Sequence, residues 1–504
     1  MVMSSAHKEV ILVNPNRMQP PIAPIGLDYI ADALVSHGYE PMVCDLSFAP
    51  DWEKALADVV SNTQPIAVGF SVRNIDDAYF ATQHFVLEDT TAIVAAVRRF
   101  TPAPIVLGGV GFSIAPAEIL RYTQADYGVI GDGHKAFVAL LDCLSAGEHA
   151  PNIPGVIART NSPPNSPRDP SIIEPNISYV PSRRFFDNYR YYLEGGQGNI
   201  ETKSGCDRPC TYCVDPVAKG RRLRLRQPAS VAAEIRLLCE QGIDVFHFCD
   251  SEFNVPLVHA RSVCEELVRS GLASHIKWYA YAVPEHVDKD TANLMAKAGC
   301  VGLNFGVDHT VPEILKRLGK RHNVAAIQNA VESCRGAGIV CMCDMLLGAF
   351  GETRETLKRA VGDMQRIRPD RVGLSCGVRI YPNTPLAAEI KQQGHLDENP
   401  NLQGCRQENE DLLKPIFYVE REIGENIYDY VASLVQGDSL FFLPNTTDTN
   451  KNYNYDNNEV LCAAIRAGAR GAYWDILRRI QEGEIHIELE KSNIKNTATK
   501  AEKS

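Results

Sequence analysis

No stretch of this chain approaches the roughly 18 uninterrupted apolar residues that a membrane-spanning helix needs, and residues 1–9 lack the apolar core of a secretory signal. Excess positive charge is also missing. The formal net charge of −11 gives no whole-chain argument for nucleic acid or an anionic membrane as partner. Nor is there a small disulfide framework. The 15 cysteines are scattered, and several sit inside apolar runs such as Phe246-His247-Phe248-Cys249 and Val340-Cys341-Met342-Cys343, which suits a reducing cytosol. The expectation is a cytoplasmic protein with no membrane span and no nucleic-acid partner. Its 504 residues, 45% hydrophobic and 22% charged, are ordinary globular material for about three domains.

Against that background, one stretch is unusual. Cys206, Cys210 and Cys213 stand at C-x3-C-x2-C spacing, after a short strand-like run, with Pro209 and Tyr212 between them. Three thiolates this close reach one centre only if the backbone wraps around it, so the segment is expected to be a loop. Soft sulfur ligands suit an iron–sulfur cluster or zinc. Zinc in a structural site takes a fourth Cys or His, yet after Cys213 the next cysteine is Cys239 and the next histidine His247. A four-iron cluster on three cysteines leaves one iron open as a reaction site. Three core thiols with no metal are the plain alternative.

Residues 1–150 alternate apolar runs with helical patterns. Strands are expected at 10–13, 42–44, 66–70, 105–107 and 127–130, with helices at 25–37, 51–60, 90–99, 116–122 and 135–145. Continuous β-branched strands alternating with helices predict a doubly wound, Rossmann-like parallel sheet, which binds ligands at the carboxyl ends of its strands. Those ends carry Asn14, then Ser71, Arg73 and Asn74, then Gly108, Gly109, Gly111 and Ser113, and finally Gly131. Glycines there let a bulky ligand approach the backbone; a nucleotide fits them as well, and so do ligand-free tight turns.

Residues 151–197 are rich in proline and read as a linker, in which the aromatic cluster 185–192 is expected to pack between domains. From 198 to 420 the βα pattern returns, with strands expected at 199–203, 245–249, 276–281, 301–306, 340–347 and 372–378, a partial six-stranded barrel. Its strand ends carry Asp250 and Glu252, Asn304, and Arg379. The basic run Lys219-Gly220-Arg221-Arg222-Leu223-Arg224-Leu225-Arg226 reads equally as a solvated face or as a contact for an anionic group. Residues 421–504 are expected to be mainly helical, with helices at 422–435 and 461–477, a polar loop at 445–458, and a disordered tail from 491.

The cysteine spacing resembles that of the radical SAM superfamily, with Tyr212 in the aromatic position before the third cysteine. Leu315-Lys316-Arg317-Leu318-Gly319-Lys320, Gly348-Ala349-Phe350-Gly351-Glu352-Thr353 and Arg379-Ile380-Tyr381-Pro382 are similar to text of that superfamily. Gly108-Gly109 with Phe112-Ser113, and Ala125 to Gly133, resemble the cobalamin-binding domain that precedes many of its members. The resemblance implies a [4Fe-4S] cluster on Cys206, Cys210 and Cys213, and S-adenosylmethionine (SAM) on the open iron. Tyr212, Asp250, Glu252, Asn304 and Arg379 would lie near SAM. Cobalamin would contact Asn14, Ser71, Arg73, Asn74, Gly108, Gly109, Gly111, Ser113 and Gly131. It further implies cleavage of SAM to a 5′-deoxyadenosyl radical, methyl transfer from methylcobalamin to an unactivated carbon, and a reducing partner such as flavodoxin or ferredoxin. Rearrangement or cyclisation with the same cofactors, and a sensor without turnover, are the alternatives. Where histidine-ligating cobalamin proteins carry Asp-x-His-x-x-Gly, this chain has Asn14-Pro15-Asn16-Arg17, so no histidine of that loop is expected on cobalt, and Arg73 or a neighbour faces it instead.

Overall fold

A computed structural model describes residues 8–148, 152–159, 179–424, 426–443 and 457–487. The expected polar linker at 161–170, most of the loop at 445–458, and the tail from 491 lie outside the described residues.

The first sheet is built as the pattern predicts. β1 (Glu9–Asn14), β2 (Glu40–Asp45), β3 (Ala67–Ser71), β4 (Ile105–Gly108) and β5 (Tyr127–Val129) pair in parallel in the order β2-β1-β3-β4-β5. Val10, Ile11, Leu12 and Val13 are all buried because helices cover both faces of the sheet, so no position can alternate to solvent. Five main helices supply those faces: Ile25–Ser36, Trp52–Val60, Leu87–Phe100, Pro116–Thr123 and Gly133–Ser145. A sixth strand was not anticipated: β6 (Val156–Ala158), within the stretch read as linker, closes the edge antiparallel to β5.

The helix Asn188–Gly195 carries the aromatic cluster and joins the two halves. Tyr191 packs into the core of the first sheet, and its neighbour Tyr192 packs into the core of the second. Beside it lies a fully buried ion network. Arg183 donates to Asp28 (3.0 Å) and to Glu234 (2.7 Å), while Glu234 also receives Arg226 (2.6 Å) and the Tyr29 hydroxyl (2.9 Å). Asp28 and Tyr29 belong to the first half, Glu234 and Arg226 to the second, so charge pairing locks their relative position.

The second half opens with β7 (Gly198–Ile200). β8 (Lys203–Ser204) and β9 (Arg224–Leu225) then form an antiparallel ribbon around the cysteine loop. Next come β10 (Val245–Phe248), β11 (Lys277–Ala282), β12 (Cys300–Asp308), β13 (Val340–Leu347) and β14 (Arg371–Cys376). A small antiparallel sheet of β15 (Val378–Arg379), β16 (Leu402–Gly404) and β17 (Ile416–Tyr418) follows. The barrel wall runs β7-β10-β11-β12-β13-β14, as expected, and β18 (Phe441–Phe442) adds a seventh parallel strand on β14. The basic run is largely consumed inside the fold: Arg224 pairs with Asp132 (2.7 Å), Arg226 with Glu234, and Lys219 with Asp215 (3.3 Å), leaving Arg221 and Arg222 exposed.

The expected helix at 461–477 is two helices, Glu459–Arg466 and Tyr473–Gln481. Gly471 separates them at φ +131°, and a Cβ there would lie 2.7 Å from the Tyr279 hydroxyl, so this turn needs glycine. The second helix seals the end of the barrel where the strands begin. Asp475 accepts the Tyr279 hydroxyl at 2.8 Å, and Glu482 pairs with Arg371 at 3.0 Å. No described helix is long and apolar enough to cross a membrane.

Candidate functional site

A cavity of about 450 Å³ lies between the carboxyl ends of the first sheet and the mouth of the barrel. Asn14, Ser71, Arg73, Asn74, Gly108, Gly109, Ser113 and Gly131 all line it, joined from the barrel by Asn199, Glu201, Ser204, Asp215, Lys219 and Cys249. Two glycine turns form its rim and are tied together: Ser113 Oγ accepts the Gly131 amide and donates to the Gly109 carbonyl, both at 2.9 Å. Gly111 does not line the cavity. A Cβ there would press on the Arg73 carbonyl at 2.8 Å, so Gly111 seats the loop that carries Arg73. The Asn14 amide is spent inside the domain, donating to Asp45 (3.0 Å), Ser47 (3.0 Å) and Tyr191 (2.9 Å).

This cavity fits a bulky cofactor with polar edges such as cobalamin. His134 Nδ1 is buried with no hydrogen-bond partner in its wall, and burial lowers the ring's pKa, so a neutral imidazole is offered to a ligand amide. Gly108 has no internal reason to be glycine: a Cβ there would meet only carbonyl oxygens at 3.7 and 3.9 Å. At Gly109 a Cβ would lie 2.7 Å from the Val72 carbonyl, at φ +97°. Gly108→Ala is therefore expected to leave stability within about 1 kcal/mol of wild type, while the added methyl intrudes on the cofactor cradle. Cobalamin retained after dialysis, read by absorbance, should fall while the melting temperature holds.

The cysteine loop sits at the strand-end side of the barrel. It is held on one flank by Cys206 N to Gly220 O (2.9 Å) and on the other by Thr211 N to Leu318 O (3.1 Å). Burial raises the pKa of all three thiols, that of Cys210 to about 11, and the Asp215 carboxylate raises that of Cys213 further. In the bare protein they are neutral, and a cationic centre is needed to deprotonate them together. Among the described residues no three Cys, His, Asp or Glu side chains close to the spacing of a single ion. Two buried thiols and one half-buried thiol on one loop are a soft donor set that suits an iron–sulfur cluster.

Behind the loop, Tyr212 donates its hydroxyl to Asp308, which pairs with Lys320 at 3.0 Å. Glu252 Oε2 and Asn304 Oδ1 are buried without hydrogen-bond partners, and burial pushes Glu252 up to about 7. Those unpartnered acceptors suit the ammonium and ribose hydroxyls of SAM. Two of the expected SAM neighbours are otherwise engaged. Asp250 is clamped by Lys203 (2.6 Å) and by the Thr202 amide (2.8 Å); burial raises its pKa, but these contacts outweigh it and hold it low. Arg379 donates to Asp76 (2.8 Å) and to the Leu413 carbonyl (3.0 Å), and Tyr381 also reaches Asp76 (2.9 Å). Arg379 thus bolts the loop following β3, which begins with Arg73, to the barrel. His134, Glu201 and Asp344 carry no signal as site residues in the sequence, and Lys219 and Lys320 stand out there only as members of the basic run and of the 315–320 motif; the fold recruits all five.

The chain matches the models of the Radical SAM superfamily over residues 200–364 and of the B12 binding domain over residues 16–141. It is 34% identical over 446 residues to the Tryptophan 2-C-methyltransferase of Streptomyces laurentii, covering 76% of this chain and 74% of that protein. Among solved structures it resembles the radical SAM methyltransferase TsrM of Kitasatospora setae with tryptophan and a SAM analogue bound (TM-score 0.87, 31% identity, 95% of this chain and 99% of that one). The same enzyme with cobalamin and a [4Fe-4S] cluster bound gives a TM-score of 0.84 at 31% identity, covering 94% of this chain and 98% of that one. The cobalamin-dependent radical enzyme OxsB shares the fold at 15% identity (TM-score 0.66, 85% of this chain and 66% of that one). With both cofactor modules in place and this likeness running along its length, the chain belongs to the cobalamin-dependent radical SAM methyltransferases.

Proposed function

We propose that this enzyme methylates a ring carbon of tryptophan or a closely related indole-bearing amino acid. The observation that carries the reading is the likeness to TsrM, whose structure with tryptophan covers 95% of this chain at 31% identity. When bound, the cluster and SAM supply reductive SAM chemistry and cobalamin supplies methyl carriage. In this reading Cys206, Cys210 and Cys213 hold the cluster, Glu252 orients SAM, and Tyr212 steadies the third cysteine through Asp308. Asp250 and Arg379 act through what they hold: the turn at Thr202–Lys203 and the loop carrying Arg73.

Arg73 lines the cavity, and the loop Asn14–Arg17 carries no histidine. Cobalamin bound there would meet Arg73 as a positively charged neighbour and would supply the methyl-carrying chemistry. Residues 1–150 bind cobalamin and 198–420 bind the cluster and SAM, across a linker at 151–197. Of the region 421–504, the helix Tyr473–Gln481 closes the barrel floor. A low-potential flavodoxin- or ferredoxin-like protein in the cytoplasm completes the system.

The test is anaerobic turnover with L-tryptophan and trideuteriomethyl-labelled SAM. S-adenosylhomocysteine and a product carrying the intact labelled methyl on the indole are expected in equal amounts. S-adenosylhomocysteine with no label on tryptophan or any other indole amino acid would refute the substrate assignment.

A further inference from the structure

The interior of the barrel is not packed shut. Outward-facing positions on its strands are buried against helices: Phe246 and Phe248, Trp278 and Ala280, Leu303 and Phe305, Cys341 and Cys343. Among the alternate positions, which face inward, Tyr279, Asn304 and Met342 are buried but others are only partly covered. Tyr281 is 43% exposed, and His247, Gly306, Asp344 and Ser375 are half-buried. Closed barrels fill this space with layers of side chains, so an open interior marks a chamber. Its floor is the Tyr279 ring, which occupies the place a Gly302 side chain would take (2.5 Å from an added Cβ) and is held from below by Asp475.

Two neighbouring strands put an incomplete hydrogen-bonding pair into that chamber. Asn304 Nδ2 donates to Asp344 Oδ2 at 2.8 Å. With Asp344 ionised the amide turns this way, because its carbonyl would otherwise face another acceptor; burial pushes the Asp344 carboxyl up to about 7, and a cation bound beside it would hold it ionised. That leaves Asn304 Oδ1 and Asp344 Oδ1 buried and unpartnered, with Asn304 only 4% exposed. Both orphans are acceptors, and one belongs to a carboxyl group. The nearby cation does not serve them: Lys320 donates to the Gly306 carbonyl (2.9 Å) and to Asp308 (3.0 Å).

One strand over, Tyr281 stands in register with Asn304. Its ring meets His247 edge-on, with centroids 5.3 Å apart and planes at 67°. Burial, with Arg73 adding to it and Asp250 opposing, holds His247 down to about 4, so this ring is neutral at pH 7 and can pack against an aromatic ligand. Asn304 pairs with Met342 and Gly306 with Asp344, so Asp344 lies two strands over from Tyr281 and two residues further along, about 12 Å away. An aromatic amine spans such a row, ring at one end and nitrogen at the other.

We propose that Asn304 and Asp344 form the subsite for the protonated amine of the methyl acceptor, with the His247–Tyr281 pair as the ledge for its aromatic ring. This rests on the reading of the acceptor as an aromatic amino acid, and it moves Asn304 from SAM to the substrate. The carboxylate accepts one ammonium N–H and the amide carbonyl a second, which satisfies both orphans at once.

Calorimetric titration of the reconstituted holoenzyme with tryptamine, L-tryptophan and indole-3-propionate tests it. Wild type should bind the two amines at least about tenfold more tightly than the amine-free acid, as one charge-assisted hydrogen bond predicts. Asp344→Asn should erase that preference and leave SAM affinity unchanged, and Asn304→Ala should weaken it if the first variant fails to fold. Equal binding of all three compounds by wild type, or binding of none, overturns the proposal. So does an Asp344→Asn variant that keeps the amine preference, or that loses SAM affinity instead. Methylation of tryptophan with an unchanged preference in the variant sinks the subsite and keeps the function. Loss of preference in the variant, with no methylated product from wild type, does the reverse.

Discussion

Cys206→Ala should yield folded protein that binds cobalamin but carries little iron and turns over no SAM. Changing an outer-shell partner of a metal ligand already costs about 10- to 100-fold, so losing one of three direct ligands should drop activity below detection. The thiol sits on a loop pinned at both flanks by backbone hydrogen bonds, so the fold does not depend on its side chain. Cys405→Ala is the matched control. That thiol is only partly buried and lies outside the cysteine loop, and its loss should change neither iron content nor turnover. Iron analysis, the iron–sulfur absorbance and SAM-derived products read all three outcomes. If Cys206→Ala retained full iron, the cluster would sit elsewhere.

Glu234→Ala should be among the most destabilising single substitutions available. Glu234 is completely buried and accepts from Arg183, Arg226 and the Tyr29 hydroxyl. Removing it takes the carboxylate from Arg226 and leaves Arg183 with Asp28 alone, between the halves of the molecule, and breaking a buried pair from one side costs about 3–5 kcal/mol. Arg190→Ala deletes the exposed pair Arg190–Glu194, whose side chains are 49% and 42% accessible, and should cost less than about 1 kcal/mol. Denaturant midpoints of the two variants measure the contrast. Because the network joins the two faces that enclose the cofactor cavity, Glu234→Ala should also weaken cobalamin retention, and Arg190→Ala should not.

Much of this molecule is legible in its sequence, for reasons that are local. The parallel strands announce themselves because a strand covered on both faces must be apolar throughout, as Val10 to Val13 are. The cysteine loop is legible because its ligands fall within eight residues of one another. What escapes is settled by distant partners. β18 is two phenylalanines that become a strand only by lying along β14. The basic run looks like a charged surface until Asp132 and Glu234 arrive from other elements to neutralise it. Arg379 is read as a cofactor contact on its motif, but its guanidinium belongs to Asp76, 303 residues earlier. The single helix expected at 461–477 breaks after Arg466, because Gly468 (φ +102°) and Gly471 (φ +131°) take backbone conformations that a right-handed helix cannot continue. The Asn304–Asp344 pair is invisible in sequence, since forty residues separate two ordinary polar positions that β12 and β13 bring side by side.

The central claim is that the cavity between the two halves holds cobalamin and that methyl transfer depends on it. The direct measurement is S-adenosylhomocysteine formation by anaerobic protein carrying its cluster, with and without prior loading of cobalamin, alongside the absorbance of cobalamin retained on the protein. The account predicts stable retention and product only from the loaded protein. Failure to retain cobalamin under any reconstitution, or equal product without it, would contradict the account.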